Sequence, residues 1–211
     1  MEKPMTELLY VSASPKGKNS TSNGMGEAFL SAYSRAHTQD SVRRLDVFTA
    51  DLPDFGRTEA EAKFAPIFGQ ARTDEQEAAW SKVVATIKDF DKADKIVIST
   101  PMWNFSIPWR LKLYLDILSQ PGLTFTVDRD TRQHVGLLKN RPVQLLLTRS
   151  STMPGDYSDF QLPYLKFILG FMGLYDVRVE TAWQTTQYTP ETRATYAEAA
   201  KQRAANAAAA F

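Results

Sequence analysis

Apolar residues along the chain follow two patterns. Residues 8–11 (LLYV), 96–99 (IVIS) and 143–147 (VQLLL) are short apolar runs bounded by polar or turn residues. That pattern predicts buried strands. Residues 42–47 and 176–181 alternate apolar with polar positions, as half-buried or edge strands do. Between these runs, apolar residues recur at helical spacing. The helices expected from it are Thr21–Ala36, Asp74–Asp91, 109–119, 161–172 and 190–210. The second carries Val83, Val84, Ile87 and Phe90 on one face and acidic residues in its first turn, where they meet the helix dipole favourably. Residues 49–73 read as the least regular stretch, yet Phe55, Phe64, Ile67 and Phe68 give it more apolar surface than a solvated loop needs.

Strand and helix therefore alternate about five times. Alternation of this kind predicts an α/β fold: a five-stranded parallel sheet with helices on both faces, joined by right-handed crossovers. Two covered faces account for inner strands that are apolar throughout. Residues 1–211 are read as one domain. In open sheets of this kind ligands bind beyond the carboxyl ends of the strands, which singles out the loops at 12–22, 100–108 and 148–159.

Composition narrows the class. The 211 residues carry a formal net charge of +1, which gives no general attraction to nucleic acid or to a membrane surface. Cysteine is absent, so disulfides, thiolate metal sites and a cysteine nucleophile are excluded. No apolar run approaches the length of a membrane span, and the first residues lack a secretory leader's apolar core. The expectation is a soluble cytoplasmic protein.

The first loop, "SASPKGKNSTSN" at 12–23, has neither the G-x-G-x-x-G of a dinucleotide site nor the Gly-Lys-Ser/Thr of a P-loop. It offers Ser14, Ser20, Thr21 and Ser22 at the mouth of a helix, where free N–H groups favour an anion. A plain helix cap explains the same residues. The second loop, "TPMWNFSIP" at 100–108, places Met102, Trp103 and Phe105 around Asn104. Such a loop suits a flat aromatic ligand; it equally suits anchoring of the helix that Pro108 opens. The third, at 148–159, supplies Thr148, Arg149, Ser150 and Ser151 as donors, or is a polar loop turning at Pro154-Gly155.

These segments together resemble the FMN-dependent NADH azoreductases, also described as NADH:quinone oxidoreductases, which have a flavodoxin-like fold. The resemblance is carried by the serines at 14 and 20–22, "PMWNF" at 101–105 with "IPWRLKLYLD" after it, "PGLTF" at 121–125 and "PYLKFILGFMGLYDV" at 163–177. It implies strand order 2-1-3-4-5, a homodimer, and FMN as cofactor with NADH or NADPH as electron donor. It further implies that Ser14, Ser20, Thr21 and Ser22 hold the FMN phosphate and that Met102, Trp103, Asn104 and Phe105 bracket the flavin ring. Thr148, Arg149, Ser150 and Ser151 would line its pyrimidine edge. Where the family commonly has Ser-Arg-Gly-Gly, this chain has Thr-Arg-Ser-Ser. Phe125, Tyr157 and Phe160 are the candidates for a pocket taking a quinone, azo or nitroaromatic substrate. No side chain is required as a chemical catalyst, and no metal or nucleic acid is implied. An electron carrier or a flavin-binding regulatory protein of the same fold, without turnover of small molecules, is the alternative.

Overall fold

The computed structural model describes residues 5–150, 155–186 and 189–211. Five parallel strands form the main sheet: β1 (Glu7–Ser12), β2 (Ser41–Asp46), β3 (Lys95–Pro101), β6 (Val143–Thr148) and β7 (Val177–Ala182), in the order β2-β1-β3-β6-β7. Counting parallel strands alone, this is the expected 2-1-3-4-5 order. The helices are α1 (Thr21–Ala36), α2 (Arg57–Phe64), α3 (Asp74–Asp91), α4 (Trp109–Leu118), α5 (Leu162–Phe171) and α6 (Pro190–Ala208). Two strands of three residues, β4 (Phe125–Val127) and β5 (His134–Gly136), pair antiparallel as a hairpin beside the sheet. Among the described residues no helix is long and apolar enough to cross a membrane.

The inner strands are apolar on both faces because each face has its own core. Leu8, Tyr10, Val97 and Leu146 pack with Met25, Phe29 and Tyr33 of α1 and with the alanines of α6. Leu9, Val11, Ile96, Ile98, Leu145 and Leu147 pack on the other side with residues of α3, α4 and α5. Side chains alternate between the faces with the period of two that a strand imposes. The alanine stripe Ala200, Ala204 and Ala208 lets α6 lie close to α1. A single glycine sets the distance between α1 and the sheet: a Cβ on Gly26 would stand 2.1 Å from the Tyr10 hydroxyl. That hydroxyl bonds Ser99 Oγ at 2.8 Å, and burial pushes its pKa up to about 12.

Residues 49–73 are more regular than the sequence suggests. Glu59 accepts the Gly56 N–H at 2.8 Å and starts α2, and Arg110 of α4 donates to the carbonyls of Val47 and Ala50. Phe55 packs against the core, while Phe64, Ile67 and Phe68 remain exposed.

Candidate active site

The loops after the inner strands lie side by side because the sheet's hydrogen bonding continues past the strand ends. Ala13 N–H donates to Ser99 O at 2.9 Å, Met102 N–H to Thr148 O at 2.6 Å, and Arg149 N–H to Ala182 O at 2.9 Å. These bonds bring the segments after β1, β3, β6 and β7 to one edge. Between them is a cavity of about 120 Å³. Ser14, Lys16, Asn19, Ser20 and Thr21 form one wall; Pro101, Met102 and Trp103 a second; Thr148, Arg149, Ser150, Thr185 and Thr186 the third. Larger depressions, of about 520 Å³ each, open beside Tyr10 and at the opposite edge of the sheet. Neither joins a hydroxyl-lined helix start to an aromatic turn.

The first wall is built locally. Ser20 is the N-cap of α1, its Oγ accepting the Asn23 N–H at 3.4 Å and meeting Ser22 Oγ at 2.9 Å. Asn23 Nδ2 donates to Gly17 O at 3.1 Å and ties the short 3-10 turn Gly17–Asn19 to the helix. Gly17 has φ +52°, a backbone that suits glycine. Ser14 and Ser20 are buried with their hydroxyls at the cavity; Ser22 is wholly buried behind Ser20 and is not part of the wall. Capping and cavity lining thus fall to the same residue. The helix start, three hydroxyls and the Lys16 ammonium together form a donor set matched to a phosphate.

The second wall is held under strain. Trp103 and Ser106 exchange two backbone hydrogen bonds of 2.9 Å around a tight turn. Asn104 and Phe105, at its centre, have φ of 45° and 69°. Both central residues of such a turn need positive φ. Asparagine accepts this; a phenylalanine there costs on the order of 1–3 kcal/mol. Trp103 and Phe105 are about half exposed, so neither ring is spent on the core. Asn104 and Phe105 rise beside the opening, outside the cavity lining.

The third wall rests on a buried ion pair. Arg149 Nη1 donates to Asp159 Oδ2 at 2.6 Å, with both side chains 0% exposed. The guanidinium is therefore turned toward the protein interior. Burial alone would raise the Asp159 pKa. The Leu162 N–H, the Arg149 guanidinium and the Gly155 N–H outweigh it and hold the carboxyl below its usual range. The Arg149 carbonyl accepts from Thr185 N–H and Thr185 Oγ1, each at 3.0 Å. Ser150 is exposed and is not among the residues with positive φ, so its replacement of the family's usual glycine puts no backbone strain there. Ser151 lies outside the described residues.

Of the pocket candidates, Phe160 and Tyr157 are exposed, and Phe160 N–H donates to Phe105 O at 3.0 Å, beside the opening. Phe125 is not among the residues that line this cavity. Its ring lies 4.3 Å from Phe171, the last residue of α5, and 6.1 Å from His134. Five lining residues were not among the site candidates read from the sequence: Lys16, Asn19, Pro101, Thr185 and Thr186. The last two follow β7, and the rule that ligands bind beyond strand ends points to that loop as well.

Comparison with known proteins agrees with this geometry. Residues 6–207 match the family described as having a flavodoxin-like fold. The chain is 45% identical over 203 residues to an FMN-dependent NADH:quinone oxidoreductase of Nitratidesulfovibrio vulgaris, covering 94% of this chain and 96% of that one. It is 38% identical to the protein of that name from Ruegeria pomeroyi, covering 91% and 95%. Among solved structures, an azoreductase from Bacillus anthracis superposes with a TM-score of 0.86 at 28% identity, over 98% of this chain and all of the other. A fold with strand order 2-1-3-4-5, a cavity at its carboxyl edge and relatives of this similarity place the chain in the flavodoxin-like family that includes the FMN-dependent NADH:quinone oxidoreductases and azoreductases.

Proposed function

We propose that the chain is an FMN-dependent oxidoreductase that passes electrons from NADH or NADPH to quinones, azo compounds or nitroaromatics. The observation that carries this reading is the joining of a phosphate-type wall to an aromatic turn in one cavity at the sheet's carboxyl edge. The donor set fits FMN. A single terminal phosphate matches the Ser14, Ser20, Thr21 and Lys16 wall, which lacks the glycines a pyrophosphate's close approach requires. Met102 and Trp103 offer a polarizable thioether and an aromatic surface to a flat ring. Bound FMN supplies a two-electron relay between a nicotinamide and an acceptor that do not react directly.

The chain's own residues orient and enclose. Ser20 and the start of α1 hold the phosphate end. Trp103, Asn104 and Phe105 would bracket one side of the ring, and Thr148 and Ser150 would present hydroxyl donors to its pyrimidine edge. Those donors stabilise negative charge where it develops. Arg149 would line that edge without donating to it, since its guanidinium is engaged with Asp159 and its N–H with the Ala182 carbonyl. Donor and acceptor use one opening in turn, so ping-pong kinetics are expected.

The working form in this reading is a homodimer. Exposed Phe64, Ile67 and Phe68 and exposed Phe167 and Tyr175 offer apolar surface for it. Phe125, which does not line this chain's own cavity, would approach a flavin face from a second subunit. Tyr157 and Phe160 border the substrate space.

The test is the visible spectrum of the purified protein after titration with FMN, then anaerobic bleaching by NADH and by NADPH and reoxidation by a quinone. A flavin band that bleaches and returns is the expected result. A chain that binds no FMN overturns the proposal.

A further inference from the structure

Asp159 is buried next to the cavity but does not line it, and four donors converge on its carboxylate. Oδ2 accepts from Arg149 Nη1 at 2.6 Å and from Gly155 N–H at 3.2 Å; Oδ1 accepts from the N–H groups of Gln161 and Leu162, both at 3.1 Å. One side of this arrangement is the backbone of the third wall. The other reaches the second wall through the residues that follow. Phe160 N–H donates to Phe105 O at 3.0 Å, Ser106 Oγ donates to Phe160 O at 3.5 Å, and Gln161 Nε2 donates to Thr100 O at 3.4 Å. Phe105 is the residue whose backbone is held at φ 69°. A strained residue persists only where its surroundings over-determine it. The bond from Phe160, the neighbour of Asp159, is one of the constraints that do so here.

We propose that Asp159 is a positioning residue that locks the Trp103–Ser106 turn and the Arg149–Ser150 backbone against each other, and so sets the geometry of the FMN site. The proposal rests on the FMN reading above for its consequence, though not for the coupling itself. A buried carboxylate with a single cation would be a stability device of doubtful net value. Here the cation accounts for one of four bonds, and the other three fix backbone groups of the loop and of the start of α5. Loss of the charge frees residues 155–161, and with them the hydrogen bond that holds Phe105. The turn then relaxes toward ordinary backbone angles and moves Trp103 away from the cavity.

The test is hydrogen exchange on the protein without added FMN, comparing the unaltered chain with Asp159→Asn and with Gln161→Ala. Asparagine keeps the shape of the side chain but turns an amide toward groups that are all donors. Gln161→Ala removes the link to Thr100 from a buried side chain, keeps the backbone N–H that Asp159 accepts, and serves if the first variant does not fold. The expected result is a loss of protection of roughly tenfold or more at both 100–108 and 155–165 in Asp159→Asn, with β1 and β3 unchanged. A smaller loss, again at both segments, is expected in Gln161→Ala. In parallel, FMN titration should show the dissociation constant of Asp159→Asn rising roughly tenfold, with the absorption band of the bound flavin displaced. Loosening confined to 155–165 would make Asp159 a brace for its own loop and overturn the proposal. Loosening of the whole sheet together would make the pair merely structural and overturn it equally. An unaltered chain that takes up no FMN refutes the proposed function, whereas the exchange pattern still decides whether the two walls are coupled.

Discussion

The two sides of the cavity are built by opposite means. On the phosphate side, order comes from neighbours in sequence: Ser20 caps the helix it precedes, Asn23 reaches back six residues to Gly17, and the only unusual backbone angle there belongs to a glycine. On the ring side, order comes from distance. Phe105 is held by Phe160, Thr100 by Gln161, and Arg149 by Asp159, and a phenylalanine carries the positive φ. A phosphate asks only for donors around a point, which a helix start supplies for the cost of a cap. A flat ring must be met by two loops at a fixed separation, and that separation has to be maintained by ties between loops. Strain and a buried charge gather on that side.

The largest effect that tests this contrast is on the buried pair. Arg149→Met leaves Asp159 buried without its cation and is expected to destabilise the chain by about 3–5 kcal/mol at neutral pH in denaturant unfolding. Its pH dependence separates charge from packing. The Asp159 carboxyl is held below its usual range in the folded chain, so its ionised form contributes stability that is fully present above the unfolded carboxylate value of about 4. That contribution is lost as pH falls through the lower folded value. The variant has no such contribution to lose, because without the cation its carboxyl protonates more readily. Its deficit should therefore shrink below about pH 4. A deficit constant from pH 7 to pH 3 would mean that packing, not the ion pair, holds the third wall.

The next effect belongs to the other side. Ser20→Ala removes a cap and is expected to cost about 1 kcal/mol of stability. It also removes a cavity hydroxyl, so FMN affinity should fall with it, as read by fluorescence quenching during titration. Lys16 is exposed and joins no ion pair among the described residues. Lys16→Ala should leave stability alone and weaken FMN binding mainly at low salt, where an exposed charge is least screened. If either change disturbed exchange at 100–106, the two sides would not be independent.

The same division decided what could be read from the sequence. Helices Thr21–Ala36 and Asp74–Asp91 appear with the bounds that their apolar spacing and first-turn residues predict. The three apolar runs are the three inner strands, and alternation predicts the parallel sheet, while its order was implied by the family resemblance. The hairpin β4–β5 gave no comparable signal, because three residues are too few to display a period of two. Helix α2 was hidden by its own composition: RTEAEAKF buries only Ala62, so no apolar face marks it. At the site, the capping serines were legible because a cap is a local event. Arg149 read as a donor to a ligand since nothing in the sequence names Asp159, ten residues on, as its partner. The positive φ of Phe105 was equally invisible, being imposed by contacts and not by its residue type.

The smallest effect is the most discriminating. Phe105→Gly removes a ring that is 55% exposed, so little burial is lost. Glycine adopts φ 69° freely, which recovers the strain of about 1–3 kcal/mol. Against this, glycine costs about 0.5–1 kcal/mol through its greater freedom when unfolded, and the residual contacts of the ring are forgone. The net change expected in denaturant unfolding is within about 1 kcal/mol and toward greater stability, where truncating an ordinary half-buried phenylalanine would destabilise. If FMN binds as proposed, turnover should fall all the same, because the ring would no longer border the flavin and a relaxed turn no longer holds Trp103. Stability and activity moving in opposite directions would identify the strain at Phe105 as maintained for the site. Should both fall together, Phe105 is an anchor for the fold, and the two sides of the cavity differ less than their geometry implies.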